Sequence, residues 1–199
     1  MLNDTQYPHS VPAHCQGKTQ EGFQGGKGKV LELFNTLDLE DFLNQFTQQI
    51  LPLQAAQWFA LDCAKLVLYA FEEQYPSDKR VSNCIEVVES YLNGKSTLEE
   101  LSSAADAAVD AAAAADADYF AAYDASAAAY DAIDNPAFDI FTAAYYTVAV
   151  DFATAADSAY AAVDAAAAVD AAGVNAAYAT SKDEMQGFVK NWIDNYFNF

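Results

Sequence analysis

Between Ser96 and Ser181 the chain has no lysine, arginine or histidine, yet it places twelve aspartates and two glutamates on a background dominated by alanine. Alanine loses no side-chain entropy on helix formation and ranks first in helix propensity, so this stretch is committed to helix. Native surfaces normally intersperse both signs, because like charges repel and weaken the compact state. A window carrying about −14 accepts that repulsion. A cationic partner is the reading that explains it, and cationic surfaces are characteristic of proteins that hold nucleic acid. Solubility alone is the alternative.

The rest of the chain supplies the core. Thirteen Phe, twelve Tyr and two Trp among 199 residues are enough to close a helical domain, which excludes a disordered acidic tail. The formal charge of −20 argues against direct binding to nucleic acid or to an anionic membrane. Cys15, Cys63 and Cys84 have no disulfide-framework spacing. No secretory signal is expected within residues 1–30, and no run is apolar enough to span a bilayer. The expected location is the cytoplasm of a bacterial host.

Residues 1 to about 28 are rich in Gln, Gly and Pro and include Lys18, Lys27 and Lys29. They show no periodicity and read as a flexible arm, dispensable for folding, opposite in sign to the body. The acidic domain from residue 29 to 199 is expected to be all-α, a bundle of about six helices. A first helix is expected from about Val30 to Ile50, with an interruption at Asn35-Thr36, ending at Leu51-Pro52. A second runs from Leu53 to Gln74. A third, from Asp78 to Leu92, takes Ser77 as N-cap and stops at Asn93-Gly94. These form the aromatic-rich part, residues 29–95.

Thr97 and Glu100 form a capping box that opens the fourth helix, expected to reach about Asp134 before Asn135-Pro136. A fifth is expected from Pro136 to Ala172, with Gly173 as its stop. Together they make an antiparallel hairpin, each arm roughly 55 Å long. A last helix, about Asn175 to Asn195, completes the bundle. Trp58, Leu61, Leu68, Phe71, Ile85, Val88, Tyr123, Tyr145, Phe152 and Trp192 share apolar helical faces and are expected in the core.

At 100° per residue, Glu99, Asp106, Asp110, Asp124 and Asp131 fall on one face of the fourth helix, away from Tyr119, Tyr123 and Tyr130. On the fifth, Asp139, Asp157 and Asp164 oppose a stripe of Phe138, Phe141, Tyr145, Val148 and Phe152. Fourteen acids along such a hairpin give about one charge per 4 Å, close to the roughly 3.4 Å spacing of a single DNA strand. Asp106, Asp110, Asp124, Asp131, Asp139, Asp157 and Asp164 are therefore the candidate partner-binding residues.

Catalytic readings fare less well. Pro12 to Thr19 ends like a phosphate-binding loop, but Pro12 replaces its first glycine and no strand precedes it. His9, His14 and Cys15 lack a fourth metal ligand nearby in sequence. Cys63 has no histidine partner in the globular part. Asp116 and Asp118 lie on a solvated face, unsuited to acid catalysis. Glu72, Glu73, Asp78, Lys79 and Arg80, the last being the chain's only arginine, read as a local ion-pair network around Tyr75-Pro76. An enzyme built on Asp62, Asp78 and Arg80 is the remaining catalytic alternative. No metal or cofactor is expected.

The segment Trp58-Phe59-Ala60-Leu61-Asp62-Cys63-Ala64-Lys65, then Phe71-Glu72, Tyr75-Pro76-Ser77-Asp78-Lys79-Arg80, Ile85-Glu86 and Asn93-Gly94, resembles the Imm5-like immunity proteins of phages and bacteria. Members of that family show a Cys-Ala pair in a helix, a Phe-Glu before a Pro-x-Asp-x-Arg turn, and long alanine-rich helices. The resemblance spans about residues 55 to 172 and implies an all-helical fold with a role in conflict between phage and bacterium. Val81-Ser82 depart from the proline and second basic residue usual after the arginine. Family helices also mix Arg with Asp, which this acidic window does not.

Two binding roles follow. The leading one is a phage-encoded inhibitor, of anti-CRISPR or anti-restriction type, that imitates nucleic acid in the basic channel of a host defence enzyme. The other is an immunity protein that neutralises a toxin by direct binding. Both partners are basic proteins, and the oligomeric state, homo-oligomer included, stays open.

Overall fold

The computed structural model describes residues 12–13, 16–114 and 171–197. Among the described residues the structure is all-α: six helices and a short π-helical stretch, without a strand. The second arm of the expected hairpin, and the first beyond Ala114, lie outside the described residues. So do the side chains of Phe71, Tyr123, Tyr145 and Phe152.

The expected first helix is three pieces. Helix α1 spans Gly26–Thr36, and Asn35 and Thr36 turn their side chains back onto the carbonyls of Leu31 and Glu32 at 2.8 and 2.9 Å. Such back-bonding competes with the main-chain ladder. Leu37 is extended, and Asp38 then caps α2 (Leu39–Gln45), its Oδ1 accepting from the Asp41 N–H at 2.8 Å. Helix α2 widens into the π-helical stretch Phe46–Ile50, closed by Leu51 N–H donating to the Phe46 carbonyl at 2.9 Å. Pro52 forces Leu51 out of helical geometry. The wider turn keeps Phe46, Thr47 and Ile50 all facing inward.

Helix α3 (Leu53–Gln74) has the bounds its flanking prolines dictate. Helix α4 (Arg80–Leu92) starts two residues later than Asp78. Asp78, rather than Ser77, serves its first turn by accepting from the Arg80 N–H at 3.1 Å. Its end is a Schellman motif: Gly94, at φ 69°, donates to Tyr91 and Lys95 donates to Ser90, both at 2.8 Å. Helix α5 (Leu98–Ala114) opens on the expected capping box. Helix α6 (Ala171–Tyr196) runs straight through Gly173, so the stop expected there does not form. A glycine inside a helix costs only about 1 kcal/mol, which the length of α6 absorbs.

The core is aromatic at its centre. Phe46 and Phe59 meet Trp192 edge-on, at ring separations of 5.7 and 5.1 Å, and Trp192 stacks on Tyr196 at 4.7 Å. Trp58, Leu61, Ile85, Val88 and Trp192 are buried as expected, and Leu68 is half-buried against them. Burying each such side chain contributes about 1.5–3 kcal/mol. At the centre, the Trp192 indole N–H donates to Oδ2 of Asp62 at 3.0 Å, inside a site where Asp62 is 7% exposed.

From Lys18 onward the N-terminal segment departs from the expectation of a loose arm. Gln20 donates through its backbone to the Ile50 carbonyl (2.7 Å) and through Nε2 to the Gln48 carbonyl (2.9 Å), meeting acceptors left over where the π-helical stretch ends. The Tyr196 hydroxyl donates to the Lys18 carbonyl at 2.8 Å, and Phe23 packs on the core. Lys27 reaches α6, with Nζ 2.9 Å from Oδ1 of Asp194. Each hydrogen bond contributes about 0.5–1.5 kcal/mol net, whereas ordering a backbone residue costs about 1–2 kcal/mol. The described residues before Val30 include none that is fully buried, so this strap is held with little margin.

Candidate functional site: the acidic face of α5

Helix α5 separates its chemistry into opposite faces. Leu101, Ala104, Ala105, Ala108 and Ala111 are buried against α4, where Val81, Cys84, Ile85 and Val88 face them. Alanine lets the two helix axes approach closely, since interaxial distance follows side-chain size at the contact. Glu99, Asp106 and Asp110 lie on the far side, exposed. Asp106 and Asp110 are one helical turn apart, and a like-charged pair at that spacing costs about 0.2–0.5 kcal/mol.

The capping box fixes where this face begins. Glu100 accepts from the Thr97 N–H at 2.7 Å, while Thr97 Oγ1 accepts from the Glu100 N–H at 3.2 Å. The bond from the Thr97 backbone, with a second from its hydroxyl, holds the Glu100 carboxyl below the usual carboxylate range. An open groove runs alongside, between Asn83 and Val87 of α4 and Thr97, Glu99 and Ser103 at the start of α5.

The ion-pair network expected around Tyr75-Pro76 stands at the other end. Arg80 holds Asp78 in a bidentate pair, through Nε at 3.0 Å and Nη2 at 2.5 Å. That hydrogen bond pulls the Asp78 carboxyl below its ordinary range and is the largest effect raising the Arg80 guanidinium. The charge of Asp110 raises it further. One acid of the row is therefore within electrostatic reach of the chain's only arginine. The signal was present: Arg80 and Asp110 each lie fifteen residues from Lys95, in the turn between two antiparallel helices. Lys79 pairs with Glu72 at 3.3 Å, completing the local network expected around Tyr75-Pro76.

Of the seven candidate partner-binding residues, the structure brings Asp106 and Asp110 onto one exposed face. Asp124, Asp131, Asp139, Asp157 and Asp164 lie outside the described residues. The alternative catalytic trio is divided: Asp62 is buried against Trp192, whereas Asp78 and Arg80 are tied to each other at the surface. Burial pushes the Cys84 thiol up to about 12, far from a reactive thiolate. Among the described residues no cluster of His, Cys, Asp and Glu could hold a metal ion, and no helix is long and apolar enough to cross a membrane.

The depressed carboxyls set a pH response. A lowered folded-state pKa adds stability above the unfolded value and loses it as pH falls through the folded one. For Asp78, Asp194 and Glu100 that loss starts near their ordinary values of 3.8 and 4.5 and deepens below them. Approaching the pI of about 4.1 from neutrality meanwhile relieves repulsion among the acids. Thermal melts should accordingly show a stability maximum on the acid side of neutrality and a decline below about pH 4. A steady rise down to pH 3 would contradict these ion pairs.

Residues 51–171 match the family model described as Imm-5 like putative immunity protein. No curated protein and no solved structure matches the chain.

Proposed function

Since the chain belongs to the Imm5-like immunity protein family, we propose that it neutralises a basic toxin by direct, stoichiometric binding, without chemistry of its own. The observation that carries this reading is the α5 face, on which Glu99, Asp106 and Asp110 project away from the core at a cost in repulsion that folding does not require. The proposed docking residues also include Asp124, Asp131, Asp139, Asp157 and Asp164, which lie outside the described residues. A surface of this charge suits a toxin whose own active cleft is cationic, and a nuclease cleft is the natural example. The acids then occupy the place of phosphates.

The same window supports a second target class, a host defence enzyme whose nucleic-acid channel is plugged by a phage-encoded inhibitor. Its specific support is the run from Ser96 to Ser181 without one basic residue, where family helices mix both signs. The tagged full chain, passed through bacterial lysate, separates the two. We expect a basic protein retained one-to-one at low salt and released at about 0.5 M salt, where the screening length falls below 5 Å. A toxin supports the lead reading, and a defence nuclease supports the second. Retention of only acidic proteins, or retention indifferent to salt, contradicts both.

A further inference from the structure

The segment from Lys18 to Lys29 is tied at three places to elements distant in sequence by polar contacts, and half-buried Phe23 is its one apolar contact with the core. Gln20 meets the carbonyls of Gln48 and Ile50, the Lys18 carbonyl meets the Tyr196 hydroxyl, and Lys27 meets Asp194. Asp194 is shared, because Lys190 approaches its other oxygen at 2.7 Å. These two lysines together hold the Asp194 carboxyl below its usual range, with Lys190 the larger influence. The segment also turns sharply at two glycines. Gly22 and Gly25 stand at φ 98° and 130°, and a Cβ on Gly25 would sit 2.6 Å from Lys29 Cβ, so only glycine fits there. Beneath it lies Tyr196, which is 1% exposed and stacked on Trp192.

We propose that residues 18–29 form a releasable strap that closes over the C-terminal end of α6, with Lys27 as an ionic latch on Asp194. The strap opens as one unit by unwinding the first turn of α1, where Gly26 and Gly28 are poor helix formers, while α3, α4 and α5 stay folded. Opening uncovers the Tyr196 hydroxyl and leaves the Asp194 carboxylate to Lys190 alone. Local opening of this kind is drawn from segments with few buried apolar contacts and many exposed polar ones, which describes the strap and not the core. Its latch lies within reach of salt, since Lys27 and Asp194 are each about 30% exposed.

Hydrogen exchange read by mass spectrometry on the full chain, together with acetylation of Tyr196 by N-acetylimidazole, tests this. In Asp194→Asn the peptide covering residues 18–29 should exchange about fivefold faster, as for the loss of roughly one favourable contact. Tyr196 should acetylate faster by a similar factor, while peptides from α3 keep the parent's rate. Lys27→Ala should do the same, and raising salt to about 1 M should do it in the parent. Three results would overturn the strap: exchange at 18–29 as slow as in α3, acceleration of all peptides alike, or faster exchange with Tyr196 still protected.

Discussion

Replacing Trp192 by alanine should come close to unfolding the protein. Trp192 touches Phe46, Phe59 and Tyr196 and donates to Asp62, so it joins α6 to α3 and to the π-helical stretch at once. Truncating a buried tryptophan costs about 3–5 kcal/mol. Taking a hydrogen bond from a buried carboxylate adds about 1–3 kcal/mol. Against a total stability of about 5–15 kcal/mol, the variant should melt at least 10 °C lower, at about 2–4 °C per kcal/mol. Trp192→Phe separates the contributions: it retains a ring but not the N–H, and should lose about a third as much. Asp62→Asn in the phenylalanine background should recover part of that, by removing the stranded charge. If Trp192→Ala melts like the parent, the packing of α6 on α3 is wrong.

How much of this was legible in sequence depended on the range of each signal. Local punctuation was readable. Pro52 and Tyr75-Pro76 bracket α3, Thr97 and Glu100 box the start of α5, and Gly94 ends α4. Each acts within a few residues of the boundary that it sets. Where a local rule failed, a tertiary contact had won. Gly26 to Gly28 are poor helix formers, yet α1 begins at Gly26, where Lys27 is held by Asp194 from the far end of the chain. Gly173 is a different case: α6 runs through it because one glycine costs a long helix only about 1 kcal/mol. The Asp62–Trp192 bond joins residues 130 apart, and no spacing rule finds it.

The site was legible in a similar way. Periodicity placed Glu99, Asp106 and Asp110 outward, because an alanine-and-leucine face opposite them leaves one way to bury the helix. It did not show that the charge of Asp110 would be felt at Arg80, since a helical wheel says nothing about the neighbouring helix.

If these acids bind the partner, neutralising them together should abolish protection. The full chain and a variant with Asp106, Asp110, Asp124, Asp131, Asp139, Asp157 and Asp164 all changed to Asn are each co-expressed with the toxin that the lysate experiment retains. Growth and the dissociation constant of the purified complex are then measured. The variant should fold at least as well as the parent, because repulsion among like charges is relieved. Exposed charge pairs contribute about 0.2–1 kcal/mol each, so seven together, about 1.4–7 kcal/mol, should weaken binding by at least about tenfold. The parent should restore growth and the variant should not. Equal protection by the two proteins at equal expression, with equal affinity, would contradict the account and reduce the acidic face to a solubility feature.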